Sequence, residues 1–384
     1  MKTICFAIFT SFFTQFLYAQ IKPVKIPDLV PVENSYLFSG KLDSTYYYYL
    51  LKGILIILVI LGWAVLGSHT SDFSRYIIYS FHMPLFFGAT GFLLLKGKLS
   101  NLSFLELLKK YFRRMMIPWM IVVLLVFFLG IQDRYSELNI TNLFLSFIFP
   151  VSHLWFIIDL FIFVIILWFF IRKNISNKIL FSLLVPLAVI PLIIRYLNIT
   201  SPGELVYNLI NIHRPDFFIF FVLGFVIRNN VSVKKFITNH LNPIVFITIL
   251  LIVFRVIYFF MIEELFSSVF YSIDFYLLNI VLIACIFSIF LKYQSISHLQ
   301  LKKFSWLQWI GRNSLGVYLY SGVIVMALRF LYLRSDIDTV VYYFLTLVLI
   351  PLLIISIYLF IKLIRSRNKV FKKLRFLETY LFGT

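Results

Sequence analysis

The sequence predicts an all-α integral membrane protein with about ten transmembrane helices in one bundle. Hydrophobic residues make up 61% of the chain and charged residues only 13%, whereas about a quarter of a soluble globular protein is charged. Apolar runs of about 17 to 25 residues, long enough to cross a bilayer as helices, recur along the chain. The runs lack the alternating pattern of an outer-membrane barrel. Helices are therefore the predicted spanning elements, because they satisfy their backbone hydrogen bonds internally.

The chain before the predicted bundle divides into two segments. Residues 1–20 place a lone Lys2 before an apolar core and resemble a signal peptide or a short anchor. Residues 21–49 mix charges of both signs with prolines and predict a linker that ends in interfacial tyrosines. Residues 50–384 form one predicted membrane domain, because no part of them is polar enough for a separate soluble domain.

Ten candidate spans follow from the hydropathy pattern. They cover residues 50–67, 76–95, 114–131, 153–171, 179–195, 215–229, 243–262, 273–291, 313–331 and 339–361. Connections rich in lysine and arginine alternate with neutral or acidic ones, and basic connections stay in the cytoplasm. The alternation predicts a plasma membrane protein with both ends of the ten-helix bundle cytoplasmic. A cleaved signal peptide would start the first span from the other face, so an uncleaved eleventh helix or an unused upstream stretch would reconcile the two.

The charge and cysteine patterns exclude several partners. The net charge of +19 does not indicate nucleic acid, because the basic residues lie in short runs and form no single stripe. Cys5 and Cys285 lie far apart in apolar surroundings and predict neither a disulfide framework nor a cysteine metal site. With no zinc-type histidine pair or phosphate-binding glycine loop in a suitable context, no metal is predicted.

His82 is the polar residue that most needs an explanation. An ionisable side chain in an apolar span normally faces a cavity or a partner, so His82 is a candidate functional residue. Pro84 has no backbone N–H, which frees the Ser80 carbonyl and predicts a kink beside the imidazole. Gly88 and Gly91 predict that a neighbouring helix approaches closely. The alternative for His82 is a structural hydrogen bond to another helix.

Short motifs in four places carry a family resemblance. The run Phe-His-Met-Pro-Leu-Phe-Phe contains His82, and a first-span stretch extends from Lys52 to Trp63. A cluster of basic residues precedes Pro118, and Gly-Arg-Asn-Ser-Leu-Gly-Val-Tyr-Leu begins at Gly311. Together these motifs resemble the membrane-bound acyltransferase 3 family, particularly the branch that O-acetylates surface polysaccharides. The resemblance implies a multipass enzyme that passes an acyl group from cytosolic acyl-CoA to a sugar hydroxyl.

The sequence departs from the family pattern at two histidine positions. In the family's first-helix motif, a basic residue is followed after ten others by a histidine thought to be the catalytic base, and here Trp63 follows Lys52. Indole donates a hydrogen bond but cannot accept a proton as a general base. Many members also end the later element with histidine, where this chain has Ser321. Three interpretations follow. His82 acts as the base in place of the missing histidine, His69 does so, or acyl transfer has been lost.

The resemblance also implies a donor site for acyl-CoA, the acetyl form above all. Lys110, Arg113 and Arg114 are three and four residues apart, so they share a helical face. In the family's paired-arginine motif such a face would hold the phosphates of acyl-CoA, for which arginine offers planar bidentate donors. Lys52 would assist them. The alternative is that these residues only fix the topology.

The remaining candidates lie on the predicted acceptor side. His153 opens a His-Leu-Trp-Phe element that resembles one in the family, and it lines an acceptor entrance or anchors the interface. Asp159 lies two turns further on and needs a buried partner, for which Arg195 or a histidine is available. The segment 213–216 carries three ionisable side chains that could hold sugar hydroxyls, but a solvated loop is favoured.

The sequence therefore predicts a membrane O-acyltransferase that acts on a cell-surface glycan or glycolipid. Its other predicted partner is the surrounding membrane lipid. Its predicted catalytic residues are His82, Lys52 and Trp63, and Asn313 and Tyr318 join the acceptor-side candidates. The alternative is a degenerate member that binds or transports a lipid-linked sugar. Acceptor identity, acyl chain length and oligomeric state stay open.

Overall fold

The computed structural model describes residues 43–66, 72–131, 138–173, 186, 190, 213–261, 268–292, 304–335, 337–365 and 375–383. Every regular element in these residues is helical. The α-helices, in chain order, are α1 Asp43–Ala64, α2 Phe73–Phe92, α3 Lys96–Ser100, α4 Phe104–Tyr111, α5 Ile117–Phe128, α6 Ile140–Ile148, α7 Trp155–Arg172, α8 Phe218–Asn229, α9 Val231–Asn239, α10 Leu241–Met261, α11 Ser268–Lys292, α12 Ser305–Arg312, α13 Ser314–Arg334, α14 Thr339–Ile364 and α15 Arg375–Phe382. A π-helix, Phe112–Met116, joins α4 to α5, and 3₁₀ turns precede α7 (Ser152–Leu154) and α8 (Pro215–Phe217).

The described helices support the predicted membrane class but not the full helix count. Six are long and apolar enough to span a membrane: the joined α4–α5 segment, α7, α10, α11, α13 and α14. A seventh is added if Pro215–Asn229 and α9, bent by 95° relative to each other, form one broken span. The apolar part of α1 is shorter, and the predicted span 179–195 lies outside the described residues except for positions 186 and 190. The count of ten therefore stays a prediction.

The first helix begins earlier than expected. α1 starts at Asp43, inside the segment predicted as a linker. No proline or glycine separates Asp43 from the apolar part of the helix, and only those residues strongly disfavour helix. The four interfacial tyrosines thus belong to the helix, and residues 1–42 lie outside the described part of the chain.

Glycines set the closest helix contacts in the bundle. A Cβ added to Gly91 of α2 would lie 1.9 Å from the Phe221 carbonyl oxygen, and one added to Gly224 of α8 would lie 1.9 Å from the Gly88 carbonyl oxygen. The backbones of α2 and α8 therefore touch, and the predicted close approach at Gly88 and Gly91 is confirmed. Gly53 brings α1 against α12 in the same way, because its Cβ would lie 2.1 Å from the Leu307 oxygen.

The prediction that Pro84 frees the Ser80 carbonyl is also confirmed. α2 continues through Pro84, and Asn279 of α11 donates its Nδ2–H to the Ser80 oxygen at 2.8 Å. A neighbouring helix thus replaces the hydrogen bond that proline cannot make, as the bilayer interior requires. The exchange ties α2 to α11 two residues from His82.

We expect Gly224→Ala to destabilise the bundle. The new Cβ would overlap the Gly88 carbonyl, and overpacking of this kind costs about 1–3 kcal/mol. Thermal unfolding of the detergent-solubilised protein measures the loss. Gly97→Ala is the matched control, because a Cβ at Gly97 meets nothing within 4 Å. Equal unfolding temperatures for Gly224→Ala and wild type would show that α2 and α8 do not touch.

Candidate active site and donor cavity

One end of α1 carries an aromatic cluster formed by the half-buried Trp63 and the buried His153 and Tyr318. The Trp63 and His153 rings are in contact, with their centroids 4.3 Å apart and their planes tilted by 43°. Tyr318 lies edge-on to both rings, at 5.1 Å from Trp63 and 5.3 Å from His153. The helices α1 and α13 and the 3₁₀ turn before α7 thus bring together one predicted catalytic residue and two predicted acceptor-side residues.

Backbone contacts hold His153 in this cluster. The Tyr318 hydroxyl donates to the His153 carbonyl oxygen, and Trp119 Nε1 donates to the Leu154 carbonyl oxygen at 2.9 Å. Gly322 of α13 leaves the space that the imidazole fills, because a Cβ there would lie 2.0 Å from His153 Nε2. The 3₁₀ turn is therefore fixed from two sides, and the ring lies between Trp63 and α13.

The imidazole of His153 is buried without satisfied nitrogens. Only 4% of the residue is exposed, and within the described chain neither ring nitrogen makes a hydrogen bond of good geometry. The Leu319 carbonyl is nevertheless near enough to accept a weak hydrogen bond from the ring. A buried unsatisfied polar group costs about 1–3 kcal/mol. The site therefore has hydrogen-bonding capacity that a ligand could use.

His82 lies near this cluster but uses one nitrogen locally. It is 1% exposed, and its Nδ1 is 2.6 Å from the Ile78 carbonyl oxygen one turn back in α2. Since a carbonyl only accepts, Nδ1 donates the proton. The ring packs edge-on against Tyr79 at 4.8 Å, and Tyr79 in turn packs against Gly62, next to Trp63. Its predicted role as base stays a prediction.

Asp159 pairs with a histidine, one of the two partners that the sequence suggested. His213 Nδ1 lies 2.6 Å from Asp159 Oδ1, and the Arg214 backbone N–H donates to Oδ2 at 2.7 Å. The other candidate, Arg195, lies outside the described residues. Partial burial disfavours the imidazolium of His213, but the hydrogen bond and charge of Asp159 outweigh it, so the pKa of His213 is raised above its usual value.

The expectation that segment 213–216 is a solvated loop is wrong. Asp216 is 1% exposed, and Arg214 binds its carboxylate through Nε and Nη2, the latter at 2.8 Å. The Tyr276 hydroxyl of α11 donates to the same carboxylate at 2.6 Å. Asp216 is buried because these partners satisfy its charge, a pairing that buried charges require, while residues 213–215 are partly exposed.

Sequence reasoning missed a second buried ion pair. Arg255 of α10 is 1% exposed, and its Nη1 lies 2.5 Å from Asp274 Oδ2 of α11. Arg255 Nε also donates to the Ser80 hydroxyl at 3.1 Å. An arginine and an aspartate inside consecutive apolar segments were the available signal, since such residues are rare in spans and pair with one another.

A basic cavity opens at the opposite end of α1, where the predicted donor residues Lys110, Arg113 and Arg114 come together. It has a volume of about 660 Å³. Its lining consists of Tyr49, Glu106, Lys109, Lys110, Arg113, Arg114, Arg312, Arg365 and Thr379. The two central arginines lie on the π-helix, a distortion frequent at functional sites. Six basic residues against one acid make this cavity attractive to anions.

Helix α15 closes one side of the basic cavity. Arg114 Nε donates to the Gly383 carbonyl oxygen at 3.0 Å, and the Arg113 guanidinium lies 5.3 Å from the Tyr380 ring centroid. Arg365 pairs with Glu378, and that hydrogen bond raises the pKa of Arg365. Both predicted donor arginines are thus oriented by the C-terminal helix.

The other two predicted site residues lie apart from the aromatic cluster. Lys52 is partly buried, with its Nζ 5.6 Å from the Phe86 ring centroid and near enough to Arg114 for the two charges to repel. Asn313, 2% exposed, lies at the break between α12 and α13 and donates to the Trp309 carbonyl at 2.8 Å. Within the described residues no group of histidine, cysteine and acidic side chains could hold a metal ion.

The chain is thus a helical membrane bundle. It has a basic cavity at one end of α1 and an aromatic cluster with a buried imidazole at the other, and both features suit a polar ligand. Residues 45–361 match the acyltransferase 3 family, described as an acyltransferase domain. The chain belongs to this family, which confirms the resemblance seen in its motifs and indicates a membrane acyltransferase. No curated protein and no solved structure shows a significant match to the chain.

We expect the Asp159–His213 pair to make stability depend on pH. Because the pKa of His213 is raised on folding, its contribution is complete below the unfolded value of about 6.5 and is lost as the pH rises through the folded value. The loss of unfolding temperature in His213→Gln should therefore be larger at pH 6 than at pH 9. The exposed His240, changed to Gln, is the control, and an equal loss at both pH values for His213→Gln would contradict the assignment.

Proposed function

We propose that this protein transfers an acyl group, acetyl in the first instance, from cytosolic acyl-CoA to a hydroxyl of a cell-surface glycan or glycolipid. It would lie in the plasma membrane with both ends of the bundle in the cytoplasm. The observation that carries the proposal is the basic cavity, in which Lys110, Arg113 and Arg114 share one wall. Family membership supplies the acyltransferase chemistry.

The lining of the basic cavity suits the phosphates of coenzyme A. Arg113 and Arg114 offer planar, paired N–H donors that match phosphate oxygens. Lys110 adds a point charge on the same wall, and Arg312 faces them from the end of α12. The single acid, Glu106, is occupied as the helix-capping partner of Ser103. The proposed 3′-phosphate and pyrophosphate would therefore meet an almost uniformly positive surface.

Helix α1 connects the proposed donor site to the aromatic cluster. Tyr49 lines the basic cavity, Lys52 follows one turn later, and Trp63 is eleven residues beyond Lys52, or about 16 Å at 1.5 Å per residue. Coenzyme A has its thiol at the end of an extended pantetheine arm, far from its phosphates. We therefore place the phosphates in the basic cavity and the acyl group towards Trp63.

The aromatic cluster is the proposed meeting point with the acceptor. Trp63, His153 and Tyr318 offer aromatic faces of the kind that pack on sugar rings, and Asp159 is close enough to influence Tyr318 electrostatically. Asn313 immediately precedes α13 and follows Arg312, which lines the basic cavity. It would help to hold this end of α13 beside the proposed donor site. A lipid-linked glycan could approach this region from the surrounding membrane lipid.

A second function has one observation in its favour. Trp63 occupies the position at which the family's first-helix motif has histidine, and indole cannot act as a general base. If no other imidazole acts as the general base, the bundle would bind or transport a lipid-linked sugar without transferring an acyl group. His82 and His153 are the buried imidazoles near Trp63 that could serve.

We expect Arg113→Gln combined with Arg114→Gln to weaken coenzyme A binding by at least about tenfold. Each charged hydrogen bond to phosphate contributes roughly 1.5–3 kcal/mol, and 1.4 kcal/mol corresponds to tenfold in affinity. Calorimetric titration of the purified protein measures the change, with unfolding temperature as the check on folding. Lys173→Gln removes an exposed basic residue outside the cavity and should leave affinity unchanged. Equal affinity in the folded double variant would leave these arginines only their topological role.

We also expect the wild type to be an enzyme. Purified protein should release free coenzyme A thiol from labelled acetyl-CoA, because water can replace the acceptor hydroxyl. Surface glycans of cells with and without the gene should differ by acetyl groups in mass spectrometry. Binding of coenzyme A without thiol release, together with unchanged glycans, would favour the binding or transport function.

A further inference from the structure

We propose that His153 is the general base of the reaction and takes the proton from the acceptor hydroxyl. The proposal rests on the proposed acyl transfer. It follows from the position of His153 in the structure, which the sequence assigned only to an acceptor entrance or an interfacial anchor. The indole of Trp63 is in direct contact with its ring.

The first step of the argument is the state of the ring nitrogens. His153 is almost wholly buried, yet both nitrogens lack hydrogen bonds of good geometry to the described protein. A fold that only needed an aromatic wall here could use phenylalanine and avoid the cost of burying unsatisfied polar atoms. A ring nitrogen kept ready for a substrate hydroxyl accounts for that cost.

The surroundings also indicate which nitrogen is available. The Nε2 edge of the ring faces Gly322 on α13, and the Leu319 carbonyl, one turn earlier, interacts with the ring. Since a carbonyl only accepts, we expect the proton of the neutral imidazole on Nε2. Nδ1 then carries the lone pair that can accept a proton.

His82 is less suited to this role. Its Nδ1 is already held by the Ile78 carbonyl of its own helix at 2.6 Å, which anchors the ring to α2. Its ring packs edge-on against Tyr79 of the same helix. The His153 ring instead directly contacts Trp63, the residue at the family's histidine position, so its imidazole adjoins the place where the reaction is expected.

Trp63 then has a chemical role although it cannot accept a proton. The indole face is electron-rich and attracts a cation placed over it. When His153 accepts a proton, the imidazolium forms with its centroid 4.3 Å from the indole centroid and its plane tilted by 43°, which is within the distance over which such an attraction acts. Trp63 and Tyr318 are therefore positioning residues: Trp63 favours the charged ring, and the Tyr318 hydroxyl holds the His153 backbone.

The proposed step balances without another reagent. Nδ1 of His153 takes the hydroxyl proton as the acceptor oxygen attacks the carbonyl carbon of the acyl-CoA thioester. The new C–O bond forms and the C–S bond breaks, so the electron pair leaves with sulfur. The imidazolium returns its proton to the thiolate, which gives the acyl ester, free coenzyme A thiol and neutral His153.

The test compares wild type with His153→Gln, which keeps a polar side chain but cannot act as a base at neutral pH. Loss of a positioned general base should lower the turnover of acetyl-CoA by about 10²- to 10⁴-fold. Coenzyme A affinity should stay the same, because the basic cavity lies at the other end of α1. The exposed His240→Gln, outside both sites, should keep full turnover.

A second variant covers the case in which His153→Gln does not fold. His153→Ala leaves a ring-sized space beside Trp63, and added imidazole should restore part of the turnover. The restored rate should follow the ionisation of the added imidazole as pH changes, which a merely structural defect would not do.

The outcomes separate the two proposals. Turnover in folded His153→Gln equal to that of wild type, or loss confined to His82→Gln, overturns the assignment of His153 and leaves acyl transfer intact. A wild type that binds coenzyme A but neither transfers nor hydrolyses the acyl group overturns acyl transfer and the base together.

Discussion

Direct backbone contact between helices is the constraint on which this bundle depends. In lipid, helices gain little from hydrophobic association, so they must pack closely to stay together. Gly91 and Gly224 let α2 and α8 touch, and Gly53 and Gly311 do the same for α1 and α12. These contacts fix α1, which in turn holds the basic cavity and the aromatic cluster at its two ends. The separation of the two sites is therefore a property of the backbone.

Polar pairs complete what the glycine contacts begin. Charged groups away from water must be paired or hydrogen-bonded, and two of the pairs here join separate helical segments. Arg255 and Asp274 connect α10 to α11, while Asp159 and His213 connect α7 to the turn before α8. Such pairs accept few alternative arrangements, so they select one packing of otherwise similar apolar helices.

The sequence predicted features that depend on local chemistry. Proline frees a carbonyl wherever it occurs, glycines permit close approach, and residues three or four apart share a helical face. For this reason the freed Ser80 carbonyl, the Gly91 contact and the shared position of Lys110, Arg113 and Arg114 agree with the structure. The family motifs added the identity of the domain.

Features that depend on which helices are neighbours were beyond local reasoning. The burial of Asp216 needs Tyr276, sixty residues away, and the ring contact of His153 with Trp63 joins segments ninety residues apart. Helical periodicity tells which residues share a face but not which face of another helix meets them. The earlier start of α1 has a simpler reason, since four tyrosines at an interface are compatible with helix or linker.

The space left by Gly322 couples two positions that are far apart in sequence. The missing side chain on α13 and the imidazole of His153 occupy one shared volume, since a Cβ would lie 2.0 Å from Nε2. Substitutions at the two sites are therefore not additive. In evolutionary terms, a larger residue at position 322 can be accommodated only after the imidazole has moved or been replaced, so the order of the two substitutions matters.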